Sequence, residues 1–265
     1  MTIQPRHLIL KLVLGADDET LSARAAIACC ALFGIQENSV RVALNRLAAD
    51  GLVESFERGR YRLGPQAAAL AGEVRTWRAA EARARAWHGG YVAVHVGGLG
   101  RTDRAALRTR ERAFGLLGFR ELETDLFVRP DNLAGGVAGV RERLAKQGVP
   151  APVFLASDLD ADRDARARAL WDGKALSRQY VTTREKLERW LAKSDDLSRE
   201  AAARESFLLG SSAIRTIVFD PLLPAPLVDV DARRAFVQAV KELDERGHAI
   251  WRSLFSRLHH AEAAA

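Results

Sequence analysis

The chain has 265 residues, 48% of them hydrophobic and 28% charged, with a formal net charge of +6. That length suits two or three packed domains, and that composition excludes a disordered polyelectrolyte. No apolar run is long enough to span a bilayer, and "MTIQPRHLILKLVLG" is too short and too early broken for a secretion signal, so the expectation is a cytoplasmic protein with no membrane partner.

In residues 6–14, Leu8, Ile9, Leu12 and Val13 recur at helical spacing, and Gly15 ends that helix. "ADDET" reads as a loop. Ser22 is placed to cap a second helix, "ARAAIACCALF", which Gly34 stops with Ile35 packed behind it. The neighbours Cys29 and Cys30 point about 100° apart on a helix, so they read as small buried apolar residues rather than a disulfide. A third helix over 37–49 ends at Asp50-Gly51. Two short strands, "LVESFE" and "RYRLG", flank Arg58-Gly59. Three helices and a hairpin in this order predict a winged helix-turn-helix domain over residues 1–64.

The third helix carries the chemistry. Val40, Ala43, Leu44 and Leu47 form its buried stripe, and Asn38, Arg41, Val42, Asn45 and Arg46 occupy the opposite face, with Ser39 beside them. Arg can donate two parallel bonds to guanine, Asn can pair with adenine, and Val42 can touch a thymine methyl. These residues lie in the half of the helix that a major groove receives. Arg58, Gly59 and Arg60 form a basic hairpin tip, with Tyr61 beside it, suited to phosphates or a minor groove. Residues 1–64 are near neutral, with 8 Lys/Arg against 7 Asp/Glu, whereas residues 65–120 hold 10 against 4. The competing reading of the exposed face is a solvated surface or a protein-interaction module.

Residues 66–87 read as one basic linker helix, with Leu70, Val74, Trp77, Ala84 and Trp87 near one stripe and Arg75, Arg78, Arg83 and Arg85 available to extend a DNA footprint. It is assigned to residues 65–88. A strand over 91–97, a helix over 103–117, strand material in "LETDLFVRP", a helix over 133–148 and a strand over 152–159 follow. This is the ferredoxin-like split βαβ order over residues 89–161, and a small Rossmann-like unit is the alternative. His95, inside an apolar strand, reads as a core residue. From about 162 the chain is helical to its end, a C-terminal domain over 162–265. Thr182 and Glu185 suggest a capping box opening "REKLERWLAK". "DPLLPAPLVDV" is a Pro-rich connector. A long helix from about 231 to 258 sets Phe236, Val240, Leu243, Ile250, Leu254 and Leu258 on one seam, which would serve either a dimer or the chain's own core, and "HHAEAAA" is a frayed tail. The fold class is therefore α+β.

Catalytic constellations are not evident. The six histidines lack zinc-ligand spacing, so no metal and no catalytic residue is expected. "GGLG" at 97–100 lacks the third glycine of a dinucleotide fingerprint. Ser211-Ser212 lacks the glycines of a nucleophile elbow. Arg101, Arg104, Arg108 and Arg112 form a basic stripe that could hold ligand phosphates, face DNA or stay solvated. Trp171, Trp190 and Trp251 are candidates for an aromatic pocket or for core.

"LFGIQENSVRVALNRLAADGLVES…RGRYRLG", "RTDRAALRTRERAFGLLGFRELETDLFVRPDNL" and "DPLLPAPL" together resemble the phenylacetic-acid degradation repressor (PaaX-like) family, in order and over nearly the whole chain. The resemblance implies a winged-helix domain, a ferredoxin-like middle domain similar to a CRISPR adaptation nuclease, and a helical C-terminal domain. It implies a homodimeric, non-enzymatic repressor on double-stranded DNA with a pseudo-palindromic operator, released by an aryl-acyl-CoA effector such as phenylacetyl-CoA. No other cofactor is expected. On that footing Arg101, Arg104, Arg108 and Arg215 are the candidate effector contacts. The chain departs from the family at Gln36, where Ser is usual, at Ser211–Arg215, and where a Trp-Pro-Gly motif would follow the connector. The first strand ends in Gly97-Gly98, without the carboxylate a related nuclease needs for Mg²⁺. A nucleic-acid processing enzyme and a protein-interaction module remain the alternatives.

Overall fold

A computed structural model of the chain describes residues 4–16, 20–67, 76–100 and 102–263. It is an α+β protein whose described residues contain two antiparallel sheets. Its contacts fall into two compact units, each discontinuous in sequence. The first comprises Met1–Trp77, Leu187–Ile214 and Val240–Ala265; the second comprises Arg78–Lys186 and Arg215–Ala239. The C-terminal helices supply residues to both units.

In the first unit the order is α1 (Pro5–Gly15), β1 (Thr20–Ser22), α2 (Ala23–Ala31), α3 (Glu37–Ala49), β2 (Val53–Glu57) and β3 (Arg60–Leu63). Strand β1 begins at Thr20, the last residue of the "ADDET" loop, and runs to the cap residue Ser22. Three residues show no periodicity, and only the pairing of Leu21 with Tyr61 and of Ser22 with Arg60 makes them a strand. Residues 17–19 of "ADDET" lie outside the described residues. The sheet order is β1-β3-β2. Ser22 caps α2, its Oγ accepting from the Ala25 amide at 3.0 Å. Leu8, Ile9 and Val13 of α1 meet Ala26 and Cys30 of α2, and Val40, Leu44 and Leu47 of α3, in one buried cluster. Phe207 packs against that cluster, edge-on to Phe33 at 5.6 Å and to Trp251 at 6.2 Å.

In the second unit, the single helix expected over 66–87 is not formed by the described residues 76–88. Two 3-10 turns, Trp77–Ala79 and Glu81–Arg83, stand there instead. The backbone bonds that a helix would keep internal go across the chain: Arg85 N–H donates to Asn132 O, and Ala134 N–H to Arg83 O, both at 2.7 Å. Residues 68–75, with Leu70, Val74 and Arg75 of that expectation, lie outside the described residues.

Then come β4 (Tyr91–His95), α4 (Arg104–Leu117), β5 (Arg120–Glu123), β6 (Leu126–Pro130), α5 (Gly136–Lys146) and β7 (Val153–Ala156). The sheet order is β5-β6-β4-β7 with every neighbouring pair antiparallel. A Rossmann-like unit needs parallel neighbours, so that alternative falls. Val92 and Val94 pack with Phe114 and Leu117 of α4 and Val140 and Leu144 of α5. His95 is exposed at the end of β4, contrary to its reading as core, because β4 stops two residues earlier than expected.

Helices α6 (Ala161–Arg168), α7 (Gly173–Lys193), α8 (Arg199–Val218) and α9 (Val230–Ala263) complete the chain. Thr182 lies inside α7 and opens no helix; its hydroxyl donates to Arg178 O at 2.9 Å, one turn back. Helix α9 runs past the expected end at 258 into the supposed tail. Its seam serves the chain's own core: Phe236 stacks on Tyr180 at 5.9 Å, and Val240 and Leu243 are buried.

The second unit has a polar heart around the Asp-Pro-Leu-Leu-Pro segment. Arg129 is fully buried and donates to the carbonyls of Leu117, Pro130 and Pro221 and to Asn132 Oδ1. Asn132 donates to Leu222 O at 2.6 Å. Arg233 donates to Leu223 O at 2.6 Å and to Glu81 at 2.7 Å, and Tyr180 donates to Asp220 at 2.5 Å. Burial pushes the Arg129 guanidinium down to about 9, so it remains charged at neutral pH. The two segments "RPDN" and "DPLLP", 90 residues apart in the chain, are therefore one hydrogen-bonded assembly.

Candidate nucleic-acid interface

The turn that presents α3 is fixed by the backbone. Ile35 N–H donates to Cys30 O at 3.1 Å and Gly34 N–H to Ala31 O at 2.9 Å, the paired bonds of a Schellman stop. Helix α3 then starts at Glu37 with Gln36 before it, whose side chain makes no capping bond. Four apolar residues of α3, Val40, Ala43, Leu44 and Leu47, are buried. The opposite side is open: Asn38, Ser39, Arg41, Val42, Asn45 and Arg46 are all exposed, and Val42 keeps 42% of its surface despite being apolar. Val42 so placed can offer an apolar contact beside the donors of Arg41 and Asn45.

At the hairpin, Arg58 and Arg60 are exposed and Gly59 stands between them at φ +73°, a backbone conformation that glycine adopts without strain. Gly59 O accepts from the Ala23 amide at 2.8 Å, which ties the tip to the start of α2. Tyr61 is half-buried and packs against the hydrophobic cluster, because side chains alternate along β3 and Tyr61 takes the inward position with Leu63. The same alternation puts Arg62 on the outer face with Arg60, a residue the sequence reading passed over although its i, i+2 spacing from Arg60 was visible. Both guanidinium groups lie over the Phe56 ring, at 5.4 and 5.6 Å.

The arginines of this surface are held by carboxylates. Arg41 donates through Nε and Nη2 to Glu37 Oε1 at 2.9 and 2.6 Å. Arg62 pairs with Glu54 at 2.6 Å, and Arg60 reaches Glu57 at 3.5 Å. Such exposed pairs are worth at most about 1 kcal/mol each, so they orient the guanidinium groups without locking them. They also explain the near-neutral charge of this segment.

The described candidate effector residues stand on α4 and α8. Arg101 lies outside the described residues. Arg104 and Arg108 are exposed on α4, as is Arg112. Arg215 is exposed on α8, with its guanidinium over Phe219 at 5.5 Å. Trp171 and Trp190 are buried and donate to Gly118 O and Glu205 respectively, as core residues do. Among the described residues no group of three or more His, Cys, Asp or Glu is placed to hold a metal ion, and no helix is long and apolar enough to cross a membrane. Both cysteines are buried, and burial raises both thiols, Cys30 to about 11.

Residues 5–67 match the family described as PaaX-like protein, and residues 171–253 match the PaaX-like protein C-terminal domain. No curated protein matches the chain. Among solved structures, an uncharacterized protein, Rv0674 from Mycobacterium tuberculosis, is similar at 25% identity and a TM-score of 0.60, over 94% of this chain and 99% of that one.

Proposed function

The chain belongs to the PaaX-like protein family, and from that premise we propose that it is a transcriptional regulator that binds double-stranded DNA through α3 and the β2–β3 hairpin. The observation that carries this reading is the face of Asn38, Arg41, Val42, Asn45 and Arg46, exposed while the other side of the same helix is core. The element order α1-β1-α2-α3-β2-β3 with sheet order β1-β3-β2 supports a winged helix-turn-helix. The order β5-β6-β4-β7, with α4 and α5 as crossovers, supports a ferredoxin-like middle unit.

In this reading α3 enters the major groove, Arg41, Asn45 and Arg46 reach base edges, and Arg58, Arg60 and Arg62 of the wing meet the backbone. The regulator acts as a homodimer on a pseudo-palindromic operator, represses an aromatic-acid catabolic operon, and is released by an aryl-acyl-CoA of the phenylacetyl-CoA type. Family membership favours a role without catalysis. An effector can release DNA only by binding one arrangement of the dimer better than the other. Binding of the full chain to its own upstream region, measured at several salt concentrations with and without a panel of aryl-acyl-CoA esters, tests the proposal. Saturable, salt-dependent binding that an ester weakens supports it; no binding to any duplex at low salt removes it.

A further inference from the structure

We infer that Glu37 is a specificity-determining residue of this surface, selecting a cytosine next to the guanine that Arg41 reads. The inference rests on the DNA-binding reading above. Glu37 stands in the first turn of α3, on the flank of the exposed face, with its side chain 55% accessible. Its Oε1 accepts two bonds from Arg41, one from Nε and one from Nη2. Among the described residues its Oε2 accepts none.

Two consequences follow from that geometry. The bonds to Nε and Nη2 occupy one edge of the guanidinium and leave the other, formed by Nη1 and the second hydrogen of Nη2. That end-on fork matches guanine O6 and N7, so Glu37 orients Arg41 to present those donors. The open Oε2 is an acceptor with no hydrogen to give. In the major groove only amino groups can satisfy it: cytosine N4 or adenine N6. Adenine sets the acceptor N7 beside its N6 amino group, which repels a carboxylate. Cytosine instead sets its C5–H beside N4 on the same base, which does not repel a carboxylate. Any placement that brings Oε2 against a phosphate or a guanine edge is penalised by like charge or unpaired lone pairs, so the same carboxylate also rejects wrong sites.

The test is selection from a pool of random duplexes with the full chain, followed by equilibrium binding on the selected sites, for wild type, Glu37→Gln and Arg41→Ala. The exposed position of Glu37 leaves folding intact in Glu37→Gln, checked by circular dichroism. Wild type is expected to select cytosine at one position of each half-site, preferring it to adenine by about 5-fold or more. Glu37→Gln is expected to lose that preference and turn toward adenine, whose N6 and N7 an amide can bond together. Arg41→Ala is expected to lose the neighbouring guanine. Retention of the same base at the same ratio in Glu37→Gln overturns the inference. So does uniform tightening on all sequences, which would make Glu37 a mere repeller of phosphates. Absence of any cytosine preference in wild type also overturns it. If wild type selects no sequence at all, the DNA-binding reading itself fails, and this inference with it.

Discussion

In the proposed reading Arg41 and Arg58 have different tasks, although both are exposed arginines of one segment. Arg41 sits mid-face on α3, so Arg41→Ala is expected to weaken operator binding by about 1–3 kcal/mol and to relax specificity at one base pair. Arg58 sits at the wing tip, so Arg58→Ala is expected to weaken all duplexes alike and to lower the salt slope by about one counterion. Fluorescence anisotropy over a salt series on cognate and scrambled duplexes separates the two. Equal losses on both duplexes for Arg41→Ala would show that the reading face is wrongly assigned. At Asp220 the chemistry is that of stability. Burial, foremost, raises its carboxyl above the ordinary carboxylate range, against the Tyr180 bond and the Arg233 charge that lower it. A raised acid binds more protons in the folded chain than in the unfolded one. Its contribution is therefore full below the unfolded value and fades as pH rises through the folded one. Urea midpoints of wild type and Asp220→Asn between pH 4 and 8 are expected to diverge in favour of wild type toward the acid end; a constant difference would contradict the assignment.

At the scale of elements, each helix end and each strand pairing has a local cause that can be removed. Helix α4 ends at Gly118, at φ +71°, where an added Cβ would stand 2.6 Å from Pro221 Cβ. Its carbonyl also accepts from Trp171 Nε1 at 3.0 Å. Gly118→Ala therefore meets both an unfavourable backbone and a clash, and is expected to cost more than about 1 kcal/mol. Gly98→Ala, with nothing within 4 Å of the new atom, is the control and is expected to leave the denaturation midpoint unchanged. Equal midpoints for the two variants would mean that the segment around Pro221 yields freely. The seam of α9 was open between two uses on sequence alone. Phe236, Val240, Leu243 and Leu254 of that seam are buried within the chain, with Phe236 stacked on Tyr180, while the side chain of Leu258 lies outside the described residues.

For the molecule as a whole, the proposal makes a geometric demand. Two copies of α3 related by a two-fold axis must fall in successive major grooves, about 34–36 Å apart. Footprinting with the full chain is expected to show two protected half-sites with centres one helical turn apart, and cutting half-site spacing by about five base pairs is expected to abolish tight binding. Protection of a single half-site with unchanged affinity would contradict the dimer. Titration of an aryl-acyl-CoA into the complex is expected to release DNA, and by linkage the operator must weaken the ester's binding by the same factor. A ligand that binds equally with and without operator is not the effector.

The sequence by itself determined α1, α2 and α3, the order of strands and helices from β4 to β7, and the exposed face of α3, because period and local turn residues specify these without help. Val40, Ala43, Leu44 and Leu47 could only be one stripe, and the helix read over 103–117 is α4 to within a residue. It did not determine β1, the inward turn of Tyr61, or the partnership of Arg60 and Arg62 with Glu57 and Glu54, since each depends on which strand lies alongside. Nor did it show that Arg129 and Asn132 hold the Asp-Pro-Leu-Leu-Pro segment, or that the C-terminal helices divide between two units. Those contacts join residues far apart in the chain. Side-chain spacing encodes which face of an element is apolar, but the identity of the surface that covers it is settled only when the chain has folded.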